Sequence, residues 1–319
     1  MLVLTPVLST SAVRILVDGL IDYAGLFPPA SQALSTAIHH YARYRGGNQG
    51  WMLGRFVVPV TQLEAFAREA EPLLPRDAHS VPWRLTAIGS GDLRTDLNAI
   101  ASFNERHQWS VEDRSAVVDG FETRVSSPDD IARLVTAVHS DGARSWGADR
   151  PLSVHAEVPI VADPAPLIAL LAAPAFHAKV RAGGLTAEVF PARTDLLRFL
   201  EACVRYGVPF KATAGLHHAW RGTYPLTYET GCASASMYGF LNLLLTTALL
   251  SDGVSADEAA PMLEQTAADQ IMIDEDGIVA LGHRLTRVRL AAVRERLLLA
   301  VGSCSFTEPV AELRALGWL

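Results

Sequence analysis

The chain has 319 residues, half of them hydrophobic and 19% charged, with a formal net charge of −7. That composition supports a substantial buried core, and the acidic balance argues against a general nucleic-acid binder, which needs a basic face. The three cysteines, Cys203, Cys232 and Cys304, have neither metal-site nor redox spacing, which points to a reducing compartment.

Short apolar runs alternate with amphipathic stretches along the whole chain. The first twenty residues carry Arg14 and Asp18 and make a poor signal peptide. A strand is expected over residues 21–27, although 13–23 also reads as helical, and a helix follows over 32–45. Strand and helix then alternate: 55–60 with 61–74, 83–88 with 92–107, and 116–125 with 128–138. The last of these helices opens on Pro128, Asp129 and Asp130, a favourable helix start. The series continues with 152–160 and 164–171, 177–181 and 194–206, and 208–213 and 238–251. It closes with a strand over 302–306 and a helix over 308–316.

Strands separated by single helices imply parallel pairing with crossover connections. Eight such units predict an α/β fold, a (β/α)8 TIM-type barrel forming one domain over 1–319. Residues 254–301 read as an insertion before the last strand: a helix, a hairpin around Asp274 to Gly277, and a second helix rich in Arg and Leu. An open doubly wound sheet is the rival fold. No Gly-x-Gly-x-x-Gly follows the first strand, which weakens its dinucleotide-binding version, and no cofactor is expected. The longest apolar stretch, 240–250, is too short to span a bilayer. The expectation is therefore a soluble cytoplasmic protein with no membrane or nucleic-acid partner, and a homo-oligomer is left open.

Only two of the 27 Lys and Arg residues are lysines, Lys179 and Lys211. They sit in matching contexts, Ala-Lys179-Val-Arg181-Ala-Gly183-Gly184 and Phe-Lys211-Ala-Thr213-Ala-Gly215, each in a strand-like run that ends in glycine. Arginine stays protonated, whereas a lysine amine can lose its proton and attack a carbonyl. Working residues of a barrel lie at the C-terminal ends of its strands. That rule selects Glu122, Glu157, Lys179 with Arg181, and Lys211 with Thr213. If both lysines face inward on adjacent strands, about 5 Å apart, their repulsion lowers the proton affinity of one of them. A neutral amine then forms a Schiff base, and Glu122 or Glu157 moves the protons. The plainer reading of the two glutamates is structural pairing with Arg181, Arg124 or Arg55.

Gly183, Gly184, Gly215 and the run Gly302-Ser303-Cys304-Ser305 are candidates for holding an anion on backbone N–H groups, Ser303 and Ser305 included. They serve equally as tight turns. Asp22 with Tyr23, and Arg55, are weaker candidates: Asp22 serves equally as a cap or ion-pair partner, and Arg55 either binds a substrate carboxylate or simply closes a strand end. His217 and His218 are candidates for substrate contact or proton transfer. A metal ligated by them with His155 and Glu157 lacks any supporting spacing, so no metal is assigned. Ser303 and Cys304 lack a nucleophile elbow. The loop 217–236, with Trp220, Tyr224 and Tyr228, is long enough to form a lid.

The two lysine segments resemble those of deoxyribose-phosphate aldolase and related class I aldolases. There a Schiff-base lysine lies within Val-Lys-Thr-Ser-Thr-Gly on the sixth strand, and a second within Val-Lys-Ala-Ser-Gly-Gly on the seventh. Gly302-Ser303-Cys304-Ser305 is similar to that family's Gly-Thr-Ser-Ser turn, which helps to hold phosphate. The resemblance implies that Lys179 forms the imine, that Lys211 tunes it, and that Glu122 stands near the family's aspartate. It covers about a third of the chain. Arg181 in place of a small hydroxyl residue, and His217-His218 in place of an Arg-Thr-like ending, point to a keto acid or other anion instead of a sugar phosphate. The whole chain resembles a group of uncharacterised bacterial β/α-barrel proteins, which implies a fold and no activity. The leading expectation is a lyase or aldolase acting through a lysine Schiff base on a small anionic metabolite, phosphorylated or carboxylated. The alternatives are an isomerase with a cationic pocket that stabilises an enolate, a non-catalytic binder of an anionic metabolite, and a metal-dependent hydrolase.

Overall fold

The computed structural model describes residues 11–76, 81–107, 116–140 and 152–319. Eight parallel strands close into a barrel: β1 (Ile21–Tyr23), β2 (Leu53–Pro59), β3 (Trp83–Ile88), β4 (Ala116–Arg124), β5 (Ser153–Glu157), β6 (Phe176–Arg181), β7 (Phe210–Thr213) and β8 (Leu298–Ser303). Each strand pairs with its neighbours in sequence, and β8 closes the ring against β1. With helices in the connections, this is the (β/α)8 barrel.

The helices form where apolar residues recur every three or four positions. In Leu93–His107 the buried set includes Leu97, Ile100, Ala101 and Asn104, one face of a helix. Asn104 fastens that face to β4: its amide donates to the Val118 carbonyl at 2.9 Å and its carbonyl accepts the Val118 N–H at 2.8 Å. Helix Phe240–Ser251 is different, since every residue from Phe240 to Leu250 is buried. It packs against helices Arg193–Tyr206 and Arg287–Arg296 and against the turn Ala260–Glu264. Burial on all sides is why this stretch is apolar all round. Among the described residues no helix is long and apolar enough to cross a membrane.

Three expectations need correction. The last strand is Leu298–Ser303, not 302–306, because helix Arg287–Arg296 stops before the run that supplies it. The segment between β7 and β8 holds a three-stranded antiparallel sheet in place of a hairpin: Ile271–Ile273, Gly277–Ala280 and His283–Thr286. At its first turn Asp274 accepts the N–H groups of Asp276 and Gly277 and pairs with both terminal nitrogens of Arg284. Before β1, the helix Ala12–Val17 is capped by Ser11, so the ambiguous 13–23 stretch divides into helix and strand.

Candidate functional site

Strand alternation and register place five ionisable side chains together inside the upper barrel. Glu157 on β5 is the register partner of Lys179 on β6, and Lys179 is the register partner of Lys211 on β7. Lys179 Nζ lies 2.7 Å from Glu122 Oε2 and 2.9 Å from Glu157 Oε2. Lys211 Nζ lies 2.7 Å from Glu122 Oε1, a charge contact outside hydrogen-bond alignment, and donates a short hydrogen bond to Asp22 on β1. Glu157 continues outward, its Oε1 lying 3.4 Å from the Nε of both Arg181 and Arg124. The result is a string of alternating charge from Asp22 through Lys211, Glu122, Lys179 and Glu157 to the two arginines.

Asp22 is the member whose importance the sequence understated. It sits at the foot of the string because β2 comes very close: its Oδ1 accepts the Arg55 N–H at 2.7 Å. A side chain at Gly54 would place its Cβ 2.3 Å from that same oxygen, so glycine is what lets the two meet.

Burial opposes the charges of Glu122, Glu157 and Lys211, and the neighbours decide the outcome. For Glu122 burial favours the protonated form, but the two ammonium groups prevail and bring its pKa down to about 2. Glu157 follows the same pattern: burial opposes its charge, while Lys179 and then Arg181 and Arg124 hold its pKa below the usual carboxylate range. For Lys211 burial favours the neutral amine, yet Asp22 and Glu122 outweigh it and raise the pKa above the usual lysine value. Repulsion between the lysines therefore does not neutralise Lys211; intervening carboxylates hold it as an ammonium.

Above the string opens a cavity of about 840 Å³ at the C-terminal end of the barrel. Glu122, Lys179, Arg181, Lys211 and Thr213 line it, as do Gly183, Gly184, Gly215, His217 and His218. Lys211 has a fully buried side chain, while that of Lys179 is 8% exposed. The glycines have a packing reason beside any anion role. The Phe190 ring lies where a Cβ would be, 2.4 Å away at Gly183 and 2.8 Å away at Gly215, and Gly215 also has a φ of +70°.

Several expected site residues lie elsewhere or are already engaged. Arg55 is a correction. It stands near the start of β2, below the lysines, and its Nε donates to Asp119 at 2.6 Å. The expected carboxylate ligand is thus spent on a protein carboxylate. Ser303 is buried, donates to the Ser305 carbonyl and touches His217 Nδ1 at 3.2 Å. The Ser305 hydroxyl accepts the Glu308 N–H. Glu308 lies in the first turn of helix Thr307–Ala315 and lines the cavity, so a negative charge stands near the helix start where phosphate was expected.

The histidines do not converge. His155 is buried with neither ring nitrogen hydrogen-bonded, its ring centroid 4.9 Å from that of His177. Burial drives both below the usual histidine pKa, His177 to about 4. His217 lies on the cavity wall with its Nδ1 3.4 Å from Cys304 Sγ, and burial brings its pKa to about 4. His218 stacks on Tyr224 and pairs with Glu312. Among the described residues no group of three His, Cys, Asp or Glu side chains is arranged to hold a metal.

The expected lid segment forms a two-stranded hairpin, Gly222–Pro225 with Ser234–Met237, whose connecting loop lines the cavity. Leu226, Ala235 and Met237 form a small apolar cluster with Phe190 and Tyr224. Tyr228 ties the loop to the barrel rim by donating to Glu308 at 3.2 Å and meeting Cys304 Sγ at 3.7 Å. Comparison with protein-family models, curated proteins and solved structures found no match for this chain.

Proposed function

We propose that the protein is a lyase of the aldolase type, acting through a Schiff base between Lys179 and a small anionic carbonyl compound, carboxylated or phosphorylated. The supporting observation is the asymmetry of the two lysines. Each is paired with two carboxylates, but Lys211 is fully buried, whereas Lys179 is the partly exposed amine at the cavity edge. In this reading a carboxylate takes a proton from Lys179. The amine nitrogen then attacks the carbonyl carbon, and the carbonyl oxygen leaves as water. The resulting iminium accepts the electron pair of the carbon–carbon bond that breaks. Glu122 and Glu157 are ionised at neutral pH and within reach of Lys179 Nζ, although the cations that keep them ionised also make them weak bases in the empty site. The three unpaired cysteines suit a reducing, cytoplasmic setting.

Borohydride reduction with a panel of aldehydes and keto acids, followed by peptide mass spectrometry, tests this. An adduct on Lys179 is expected. Absence of any adduct, with activity retained in Lys179→Arg, would exclude the imine. One observation favours a second reading: Glu122 engages both ammonium groups at 2.7 Å, which suits a permanently cationic pocket. Such a pocket stabilises an enolate during an isomerase-type proton transfer. Substrate-dependent exchange of a carbon-bound proton with deuterium in Lys179→Arg would favour it.

A further inference from the structure

A second cavity, of about 580 Å³, adjoins the first at the ends of β4 and β5. The two cavities share Arg181, while Glu157 and Arg124 line only the second. We infer that Arg124 and Arg181 form a carboxylate-binding fork, and that the substrate is a 2-oxo acid with its carbonyl at Lys179 and its carboxylate at this fork. The inference rests on the Schiff-base reading for the carbonyl end and on the arginine geometry alone for the anionic end.

Three observations carry it. The first is position. Glu157 touches Lys179 with one oxygen and both arginines with the other, so fork and amine are separated by the width of one carboxylate. That matches a carboxylate bonded directly to the carbonyl carbon. The second is charge. The string sets Asp22, Glu122 and Glu157 against Lys211, Lys179, Arg181 and Arg124, three carboxylates against four cations. One surplus positive charge suits a carboxylate better than a phosphate monoester, which carries about −2 near neutral pH. The third is availability. Each arginine approaches Glu157 no closer than 3.4 Å, through Nε, and neither has another ion-pair or hydrogen-bond partner among the described residues. Planar guanidinium groups held this loosely keep their terminal N–H pairs for a bidentate carboxylate.

The fork also couples binding to chemistry. A substrate carboxylate that draws the guanidinium groups toward itself removes two of the three cations that stabilise Glu157 as an anion. Glu157 then takes a proton from Lys179, whose Nζ is 2.9 Å away, and leaves the amine free to attack.

The test compares pyruvate with its neutral analogue pyruvamide in borohydride trapping, and measures lactate binding by saturation-transfer NMR. Wild type, Arg124→Gln and Arg181→Gln are used, with circular dichroism confirming that each variant is folded. The expected result is that pyruvate traps at least about tenfold faster than pyruvamide in wild type, the size of a lost hydrogen bond to a charged group. Arg124→Gln should remove that advantage and weaken lactate binding. Equal trapping of the two probes in wild type, or a pyruvate preference unchanged in both variants, would overturn the fork. If neither carbonyl is trapped while lactate binding still falls in Arg124→Gln, the fork stands and the imine fails. If neither is trapped and lactate binding ignores both substitutions, the fork fails too.

Discussion

Lys179 and Lys211 are register partners on adjacent parallel strands and divide the two oxygens of one carboxylate, each Nζ lying 2.7 Å from its own oxygen of Glu122. The side chain of Glu122 is 2% exposed, so water contributes little to holding either charge. Removing one partner from such an arrangement leaves a buried charge uncompensated, which costs more than the intact pair contributes.

Glu122→Gln should therefore lower the unfolding free energy by about 3 kcal/mol. The amide keeps the volume and the hydrogen-bonding capacity but leaves two neighbouring ammonium groups without their shared counter-charge. Urea denaturation of the variant beside wild type measures it. An unchanged midpoint at unchanged slope would show that Glu122 is not the counter-charge that the geometry implies.

The same carboxylate sets an acid limit. Its pKa falls from the ordinary 4.5 to about 2 in the folded chain, so its contribution is present above the ordinary value and is lost as pH falls through about 2. Stability measured between pH 5 and about 2 should fall by on the order of 3 kcal/mol from this group. Lys211, with a raised pKa, reports the same ion pairs from the other side, and its contribution is lost only as pH rises through that raised value. The acid-side slope should flatten in Glu122→Gln. An equally steep slope in the variant would assign it to other carboxylates.

Much of this was legible in the sequence because a barrel strand advertises itself twice, once by its apolar run and once by the charged residue and glycine that end it. Lys179 and Lys211 follow that pattern, and Glu157 follows it without the glycine. Arg55 misled because a charged residue at the start of a strand looks like one at its end, although the two lie at opposite mouths of the barrel. Asp22 was understated because its partner Lys211 is 189 positions away, and no local pattern encodes that pairing. The last strand was misplaced because its leucines continue the Leu- and Arg-rich helix before it, and only barrel closure against β1 and β7 assigns them.

The hairpin over the cavity should loosen when its latch is cut. Tyr228→Phe removes the hydroxyl that donates to Glu308 and meets Cys304, while the ring stays. Amide hydrogen exchange in residues 226–233 should rise about fivefold, as one hydrogen bond of about 1 kcal/mol would require. Global stability should stay within about 0.5 kcal/mol, as for a surface substitution. Unchanged exchange in that segment would show that the apolar cluster around Met237 holds the loop by itself.

The three thiols should react with iodoacetamide in a fixed order, because the thiolate is the attacking species. Cys232 is partly exposed, and hydrogen bonding with the Thr227 side chain holds its pKa below the usual thiol value, so it labels first. Cys304 lines the cavity, but burial pushes its thiol up to about 11. Its labelling should be slow at pH 7 and climb steadily as pH rises toward that value. Cys203 is fully buried, with a pKa raised well above the usual value by that burial, and should label only on unfolding. Time-resolved peptide mass spectrometry separates the three sites. Labelling of Cys304 at pH 7 as fast as that of Cys232 would mean that His217, 3.4 Å away, activates the thiol as a base despite its low pKa.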